Sequence, residues 1–179
     1  MRWPREHDFN ALIAVSAAKY GVPIPFIKAT IGVESGFNPM ALNTSDPGFA
    51  WGLMQMIPAT AKGLGYTGLM SALRTDPALA IDLGAKLLGQ NLIRTGGAVA
   101  DSASAYNGGF RPSLGFGQPR ADGTYANQAY VTKILDAFRY FGGSTAPAGG
   151  GEPGGAPSFP NPGGCGSGPV SSEHSEEVS

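Results

Sequence analysis

The chain has 179 residues, of which 42% are hydrophobic and 14% are charged, which suits one globular domain of ordinary size. One cysteine, Cys165, and two histidines near opposite ends, His7 and His174, exclude disulfide frameworks and thiolate zinc sites within the chain and argue against a Ser/His/Asp or Cys/His triad. The formal net charge of −1, without a dense basic stripe, argues against nucleic acid as a partner, and no apolar run is long enough to predict a transmembrane segment.

Helical patterns follow one another along the chain, and no segment has the pattern of a strand. The first helix is predicted from about Asp8 to Tyr20, closed by Gly21. The apolar stretch over residues 11–18 also resembles a short signal-peptide core, but the charges ahead of it cancel and the amphipathic spacing favours a helix. A second helix is predicted to start at Pro23 to Pro25, where proline suits a first turn, and to end at Gly36.

Beyond the second helix the pattern alternates between loops and helices. The longest helix is predicted from Asp76, as its N-cap, with Pro77 at its first position, to Thr95. The other predicted elements are an irregular stretch over residues 37–57, a short helix from Pro58, a small-residue helix Val99–Tyr106, a loop over residues 107–123 and a last helix capped by Thr124.

The last segment, residues 142–179, differs from the rest in composition. It holds 11 of the 28 glycines and 6 of the 15 prolines, with four acidic residues, no basic ones and almost no apolar content. These properties predict a flexible Gly/Pro/Ser-rich tail with a charge of −4, following a folded domain over residues 1–141 with a net charge of +3. Cys165 is expected to be a free thiol in this tail.

Glu34 stands out by its position on the second helix. It lies one turn beyond Ile31 and two turns beyond Ile27, on the apolar side, so its side chain should point toward the interior or into a cleft. It also lies in the last turn, where the helix dipole disfavours a carboxylate. Both effects raise the pKa of a carboxyl group, as a general acid working near neutral pH requires. The alternative is that Glu34 caps the helix or pairs with an Arg or Lys across a loop.

Three separated motifs accompany this glutamate. They are Glu34–Ala41 (ESGFNPMA), Gly52–Ala61 (GLMQMIPATA) and Ala105–Gly109 (AYNGG). In this order and spacing they resemble the catalytic domain of the soluble lytic transglycosylases, which are lysozyme-like enzymes that cut bacterial peptidoglycan. The resemblance covers about residues 8–141. It implies a lysozyme-like fold that is all-α, or α with a minimal β element, and that contains a saccharide-binding groove.

The resemblance also implies that Glu34 is the single catalytic acid and base. As acid it protonates the glycosidic oxygen between MurNAc and GlcNAc, while the 2-acetamido group of the sugar assists at C1. As base it takes the proton of the C6 hydroxyl, which closes onto C1 and leaves a 1,6-anhydro end. No second protein carboxylate is needed as a nucleophile. Peptidoglycan glycan strands are therefore the expected partner, and no cofactor or metal is expected.

Five further positions match substrate-binding residues of the family. Gln55 is implied as a hydrogen-bond partner for the sugar or for the backbone around the catalytic glutamate, and Met54 as a groove-lining residue. Tyr106 is expected to approach the glutamate, and Asn107 to contact the sugar near the scissile bond. Tyr130 matches a tyrosine that reaches the acetamido group or the glutamate. Plain core packing is the alternative for Met54 and Tyr130, and a packed helix-end aromatic is the alternative for Tyr106.

The sequence departs from the family pattern between the first two motifs. Asn43 stands where the family often has a serine that helps to hold the acetamido group, so this contact is expected from Asn43 or Ser45 instead. The loop over Thr44–Trp51 is longer than the usual short link, and it contains Asp46. If Asp46 reaches the far face of the sugar, it positions a water and makes the enzyme a hydrolysing muramidase of the goose-lysozyme sort. An Asp followed by Pro-Gly is otherwise typical of a turn.

Three hypotheses about function follow from these residues: a lytic transglycosylase, a lysozyme-type hydrolase on the same scaffold, and a non-catalytic wall-binding or virion structural module. A binding module has no use for a protonated buried glutamate, which counts against the third. The substrate lies in the periplasm or cell wall, yet the first helix starts near the first residue without a clear signal peptide. We therefore expect a phage product, in the virion or released at lysis, with a bacterial secreted protein as the alternative. The tail is the expected contact to other virion or secretion-apparatus proteins.

Overall fold

Seven α-helices and one small hairpin make up the part of the chain that the structure, a computed structural model, describes, namely residues 3–45 and 49–144. This confirms the prediction of an α fold with a minimal β element. The elements in chain order are α1 (Asn10–Tyr20), α2 (Ile24–Ser35), β1 (Leu42–Asn43), β2 (Ala50–Trp51), α3 (Pro58–Gly63), α4 (Ala72–Thr75), α5 (Pro77–Arg94), α6 (Val99–Gly108), a 3₁₀ turn (Pro112–Leu114) and α7 (Gln128–Tyr140).

The ends of the first two helices confirm the glycine and proline signals of the sequence. Gly21 and Gly36 close α1 and α2 in the left-handed conformation, with φ of 64° and 60°, which glycine adopts without steric cost. Asp76 caps α5 as predicted, because its side chain accepts the backbone N–H of Leu79 at 3.0 Å and Pro77 takes the first helical position. Gly36 therefore sets the chain direction directly after the turn of α2 that carries Glu34.

Two predictions about local structure were wrong. Thr124 does not cap the last helix: its backbone N–H and its hydroxyl both donate to Asp122, at 2.9 and 2.7 Å, and α7 begins only at Gln128, after Asn127. A side chain that closes such a turn competes with helix formation. The segment predicted as wholly irregular contains a hairpin, in which Leu42 pairs with Trp51 and Asn43 pairs with Ala50. Two-residue strands are too short to show alternation in sequence.

Helix α2 lies at the centre of the packing. It packs mainly on α7, while α1 packs on α5, and α6 packs on both α5 and α7. Burial of large apolar side chains is the main driving force for this arrangement. The fully buried side chains from α2 and its neighbours include Phe26, Ile27, Ile31, Phe37, Leu53, Ile81, Leu88, Val131 and Ile134.

The N-terminal segment holds the back of α2. A Cβ on Gly32 would lie 2.9 Å from the indole ring of Trp3, so the helix has a notch that this ring fills. On its other side Trp3 stacks on Phe141 with ring centroids 5.3 Å apart. Because Gly32 lies two residues before Glu34, this contact fixes the turn of helix that carries the glutamate.

Most of the predicted tail, residues 142–179, lies outside the described residues. Gly142–Ser144 are described, whereas residues 145–179 and with them Cys165 lie outside the described part. Within residues 3–45 and 49–144, none of the helices combines the length and the apolar character that crossing a lipid bilayer requires.

Candidate active site

Glu34 lies in the last turn of α2 and is partly buried. Its carboxyl group accepts a hydrogen bond from a tyrosine that is distant in sequence. The hydroxyl of Tyr130, on α7, donates to Oε1 of Glu34 at 2.6 Å. The ion pairs among the described residues do not include Glu34, so the alternative of a partner Arg or Lys is not what the described structure shows. The carboxyl group thus has a neutral donor as its partner instead of a cation.

Burial changes the acidity of this carboxyl group. Loss of water raises the pKa of Glu34 to about 7, and the hydrogen bond from Tyr130 acts in the opposite direction. The raised pKa agrees with the prediction made from its place on the apolar face. A carboxyl group with its pKa raised this far can still hold a proton near neutral pH. The group is therefore able to donate a proton and, once ionised, to accept one.

The two tyrosines around Glu34 remain protonated. Burial, followed by the nearby charge of Glu34, raises the pKa of both Tyr106 and Tyr130 well above the ordinary value. Tyr106 donates its hydroxyl proton to the backbone carbonyl of Met54 at 2.8 Å. The structure therefore brings Tyr106 and Tyr130 to the glutamate, and both act there as neutral hydrogen-bond donors.

The turn over residues 52–55 forms the side of the site next to α2. Gly52 has a φ of 71°, and a Cβ there would lie 2.0 Å from the carbonyl oxygen of Leu73, so only glycine fits. Ser35 donates its hydroxyl to the carbonyl of Leu53 at 2.8 Å. This bond ties the turn to the residue directly after Glu34.

Gln55 and Met54 occupy this turn in different ways. Gln55, at a φ of 45°, donates its side-chain amide to the carbonyl of Gly52 at 2.9 Å, so it bonds to the backbone of its own turn. The side chain of Met54 is only 1% exposed and packs where Gly84 leaves room, since a Cβ on Gly84 would lie 2.1 Å from its sulfur. The prediction of Met54 as a groove-lining side chain was wrong, and its alternative of core packing describes the structure.

Asn107 follows Tyr106 at the end of α6 and is exposed. Its Oδ1 accepts a hydrogen bond from Nδ2 of Asn127 at 2.9 Å. Sequence reasoning missed Asn127. Its side chain makes no capping bond to α7 and instead bonds to α6, so the N-cap preference of asparagine would not have revealed this contact.

The residues expected to replace the family serine lie on the hairpin. Asn43 and Ser45 are both exposed, and Oδ1 of Asn43 accepts the backbone N–H of Ser45 at 2.9 Å. None of the hydrogen bonds among the described residues joins either side chain to Glu34 or to the two tyrosines. Asp46, the candidate second carboxylate, lies outside the described residues.

A protein-family model matches more than half of this chain. The model of the family described as "Transglycosylase SLT domain" matches residues 11–120, a range that includes Glu34, Gln55, Tyr106 and Asn107 but ends before Tyr130.

Solved structures of lytic transglycosylases are similar to the chain. An inactive mutant of the lytic transglycosylase Slt from Pseudomonas aeruginosa is 25% identical, with a TM-score of 0.60 over 79% of this chain and 24% of that one. The 70-kDa soluble lytic transglycosylase in complex with bulgecin A is 26% identical, with a TM-score of 0.62 over 80% and 25%. The 70-kDa soluble lytic transglycosylase of Escherichia coli is 25% identical, with a TM-score of 0.58 over 80% and 26%. The chain thus spans about a quarter of the length of these proteins.

Proposed function

Because this chain belongs to the transglycosylase SLT domain family, we propose that it is a peptidoglycan lytic transglycosylase that cleaves the MurNAc–GlcNAc bond and leaves a 1,6-anhydroMurNAc end. The observation that carries the proposal is the state of Glu34. It is a buried carboxyl group with a pKa of about 7, held by a neutral tyrosine and not by a cation. A group of this kind suits an acid that must later act as a base.

In the first step Glu34 is the general acid. Its proton goes to the glycosidic oxygen as the bond from that oxygen to C1 of MurNAc breaks, and GlcNAc leaves with a hydroxyl group. The carbonyl oxygen of the MurNAc 2-acetamido group takes the place of the leaving oxygen at C1. Glu34 is then a carboxylate, and the hydroxyl of Tyr130 at 2.6 Å stabilises the new negative charge.

In the second step Glu34 is the general base. Its carboxylate removes the proton of the C6 hydroxyl, and O6 forms a bond to C1 as the acetamido oxygen leaves. The products are an intact acetamido group, a 1,6-anhydro ring and a protonated Glu34 ready for another cycle. Water takes no part, so the chemistry needs no second carboxylate to position it.

The residues around Glu34 support a mechanism in which it is the only acid and base. The influences on the pKa of Glu34 within the described part of the chain are burial and the bond from Tyr130, and no other carboxylate is among them. Tyr106 and Ser35 hold successive carbonyls of the turn that begins at Gly52, at 2.8 Å each. We assign Tyr106 and Gln55 to holding this turn, and Asn107 to contact with the sugar.

Digestion of purified peptidoglycan tests the proposal. We expect anhydromuropeptides in the mass spectra of the products, without a matching rise in reducing ends. The Glu34→Gln variant should release no products. The matched control is Glu6→Gln, which changes the only other glutamate of residues 1–141 and should retain activity.

Other products would indicate the competing functions. Hydrated, reducing MurNAc ends that disappear in an Asp46→Asn variant would establish a hydrolase. Wall binding without any cleavage would establish a binding module.

We also propose that residues 142–179 form a tail that leaves catalysis to residues 1–141 and connects the enzyme to a virion or a secretion apparatus. The backbone N–H of Gly143 donates to the carbonyl of Phe138 at 2.8 Å and closes the end of α7, so the shortened chain in the test keeps residues 142–144. A chain shortened after Ser144 should digest purified walls as well as the full chain does. Finding the full chain in purified phage particles would support the virion assignment, and equal recovery of the shortened chain would contradict the role of the tail.

A further inference from the structure

The side chain of Asn127 connects the loop before α7 to the end of α6. Its Nδ2 donates to the backbone carbonyl of Ser104 at 3.0 Å and to Oδ1 of Asn107 at 2.9 Å. Its Oδ1 accepts the hydroxyl of Ser104 at 2.7 Å. Although Asn127 is the residue directly before α7, its side chain makes no capping bond to that helix. The amide is therefore used on α6 and not on the helix it precedes.

The partners of Asn127 permit one orientation of its amide. A backbone carbonyl can only accept, so the group facing the carbonyl of Ser104 must be the NH₂ of Asn127. The backbone N–H of Gly117 can only donate, and it donates to Oγ of Ser104 at 3.1 Å, which leaves the hydroxyl proton for Oδ1 of Asn127. The assignment of oxygen and nitrogen thus follows from two backbone groups whose roles are fixed.

The orientation of the Asn127 amide also determines the orientation of the Asn107 amide. Both hydrogens of the Asn127 NH₂ group are used, one on Ser104 and one on Oδ1 of Asn107. The oxygen of the Asn107 amide is therefore occupied, and its NH₂ group is left over. Within the described part of the chain that NH₂ group has no acceptor, and Asn107 is exposed directly after Tyr106.

We propose that Asn127 is a positioning residue, which holds Asn107 with its NH₂ group outward as a donor to an oxygen acceptor of the glycan, such as an N-acetyl carbonyl. The inference rests on the proposed function for the identity of the ligand. An unanchored asparagine presents its oxygen as readily as its nitrogen. The hydrogen bond from Asn127 excludes the orientation in which the oxygen of Asn107 points outward before the sugar binds, which lowers the entropic cost of the contact.

A double-mutant cycle between the two asparagines tests the coupling. We expect Asn127→Ala to lower kcat/KM on a soluble glycan by about 3- to 10-fold, mainly through KM, since one hydrogen bond loses its preorganisation. In an Asn107→Ala background the same change should have no further effect. Asn10→Ala, which removes an exposed amide whose oxygen accepts from Lys28 at 3.1 Å, is the matched control and should leave KM unchanged. An equal loss from Asn127→Ala in both backgrounds would overturn the proposal, because it would show a general structural role.

The Asn107→Asp variant tests the orientation itself. It keeps an oxygen for Asn127 but replaces the outward NH₂ with a second oxygen, so we expect a loss at least as large as that of Asn107→Ala. Activity near that of the unmodified protein would mean that the outward atom is normally an acceptor, and would overturn the proposal.

An NMR measurement keeps the inference separate from the proposed function. In the ¹⁵N-labelled full chain without any glycan, the side-chain NH₂ protons of Asn127 should exchange slowly with water and those of Asn107 quickly. Slow exchange at Asn107 and fast exchange at Asn127 would overturn the orientation, whatever the enzyme does. If the exchange pattern is as expected but no anhydro products form, the proposed function is wrong and the orientation of the two amides is not.

Discussion

Replacing Tyr130 with phenylalanine isolates the effect of one hydrogen bond on the proton of Glu34. The change removes a donor 2.6 Å from Oε1 and keeps the ring that packs against the core. A hydrogen bond to a charged group contributes about 1.5–3 kcal/mol, and one pKa unit corresponds to about 1.4 kcal/mol. Because the bond favours the ionised form, its loss raises the pKa of Glu34 from its present value of about 7.

The sign of the pH effect follows from the role of the acid. The free enzyme needs a protonated Glu34, so kcat/KM falls as pH rises through the pKa of this group. In Tyr130→Phe that alkaline limb should move upward by about one to two pH units. At the plateau, kcat should fall by about tenfold or more, since the carboxylate that forms in the first step loses its donor.

The assay is the pH profile of kcat/KM on a soluble glycan between about pH 4.5 and pH 9.5. The matched control is Tyr20→Phe, which removes a hydroxyl that donates to Asp82 at 2.8 Å between α1 and α5. Its profile should keep the alkaline limb of the unmodified protein. An alkaline limb that stays in place in Tyr130→Phe, or moves downward, would refute the assignment of this limb to Glu34.

Three further predictions concern stability. The pKa of Glu34 is about 7 in the folded chain and 4.5 without burial, so between these pH values the folded state binds more protons than the unfolded state does. The free energy of unfolding should therefore fall by about 3 kcal/mol between pH 4.5 and pH 7 and show no further change from Glu34 at higher pH. In urea unfolding, the Glu34→Gln variant should lack this decline. Gly52→Ala should cost more than Gly65→Ala, since both have positive φ but only the first meets a backbone atom, the carbonyl oxygen of Leu73, and we expect a difference of at least about 1–2 kcal/mol in thermal unfolding. Tyr106→Phe leaves a turn carbonyl without its donor and should cost about 1 kcal/mol in urea unfolding; an unchanged midpoint would contradict the role given to this hydroxyl.

Local chemistry explains which parts of the fold could be predicted from the sequence. Gly21 and Gly36 end helices because of backbone freedom, and Asp76 starts one because its carboxylate caps free N–H groups. The position of Glu34 on the same helix side as Ile27 and Ile31 follows from helix geometry alone, and it correctly predicted a raised pKa for the carboxyl group. Each of these features involves residues within two turns of one another.

The remaining features depend on contacts between distant residues. Tyr130 is 96 residues from Glu34, and only the packing of α7 on α2 brings its hydroxyl to the carboxylate. The motif that contains Met54 indicates a turn near the site, but whether its side chain faces the groove or the core depends on the space left by Gly84. The side chain of Thr124 bonds to Asp122 and that of Asn127 bonds to α6, so neither caps α7, and sequence alone does not show these contacts.

Burial raises the pKa of Glu34, which provides an acid for catalysis but lowers the stability of the folded state at neutral pH. The hydrogen bond from Tyr130 limits both effects. Withdrawal from water raises the pKa of the carboxyl group to about 7, which gives an acid at neutral pH but weakens the folded state there. A cation in place of Tyr130 would recover that stability, but it would hold the glutamate ionised and leave no proton for the glycosidic oxygen. A neutral donor that must itself stay protonated stabilises the carboxylate only in part, so one residue can act as acid and then as base. A single glutamate that acts as acid and then as base is therefore better served by a neutral donor, here the hydroxyl of Tyr130, than by an arginine or a lysine.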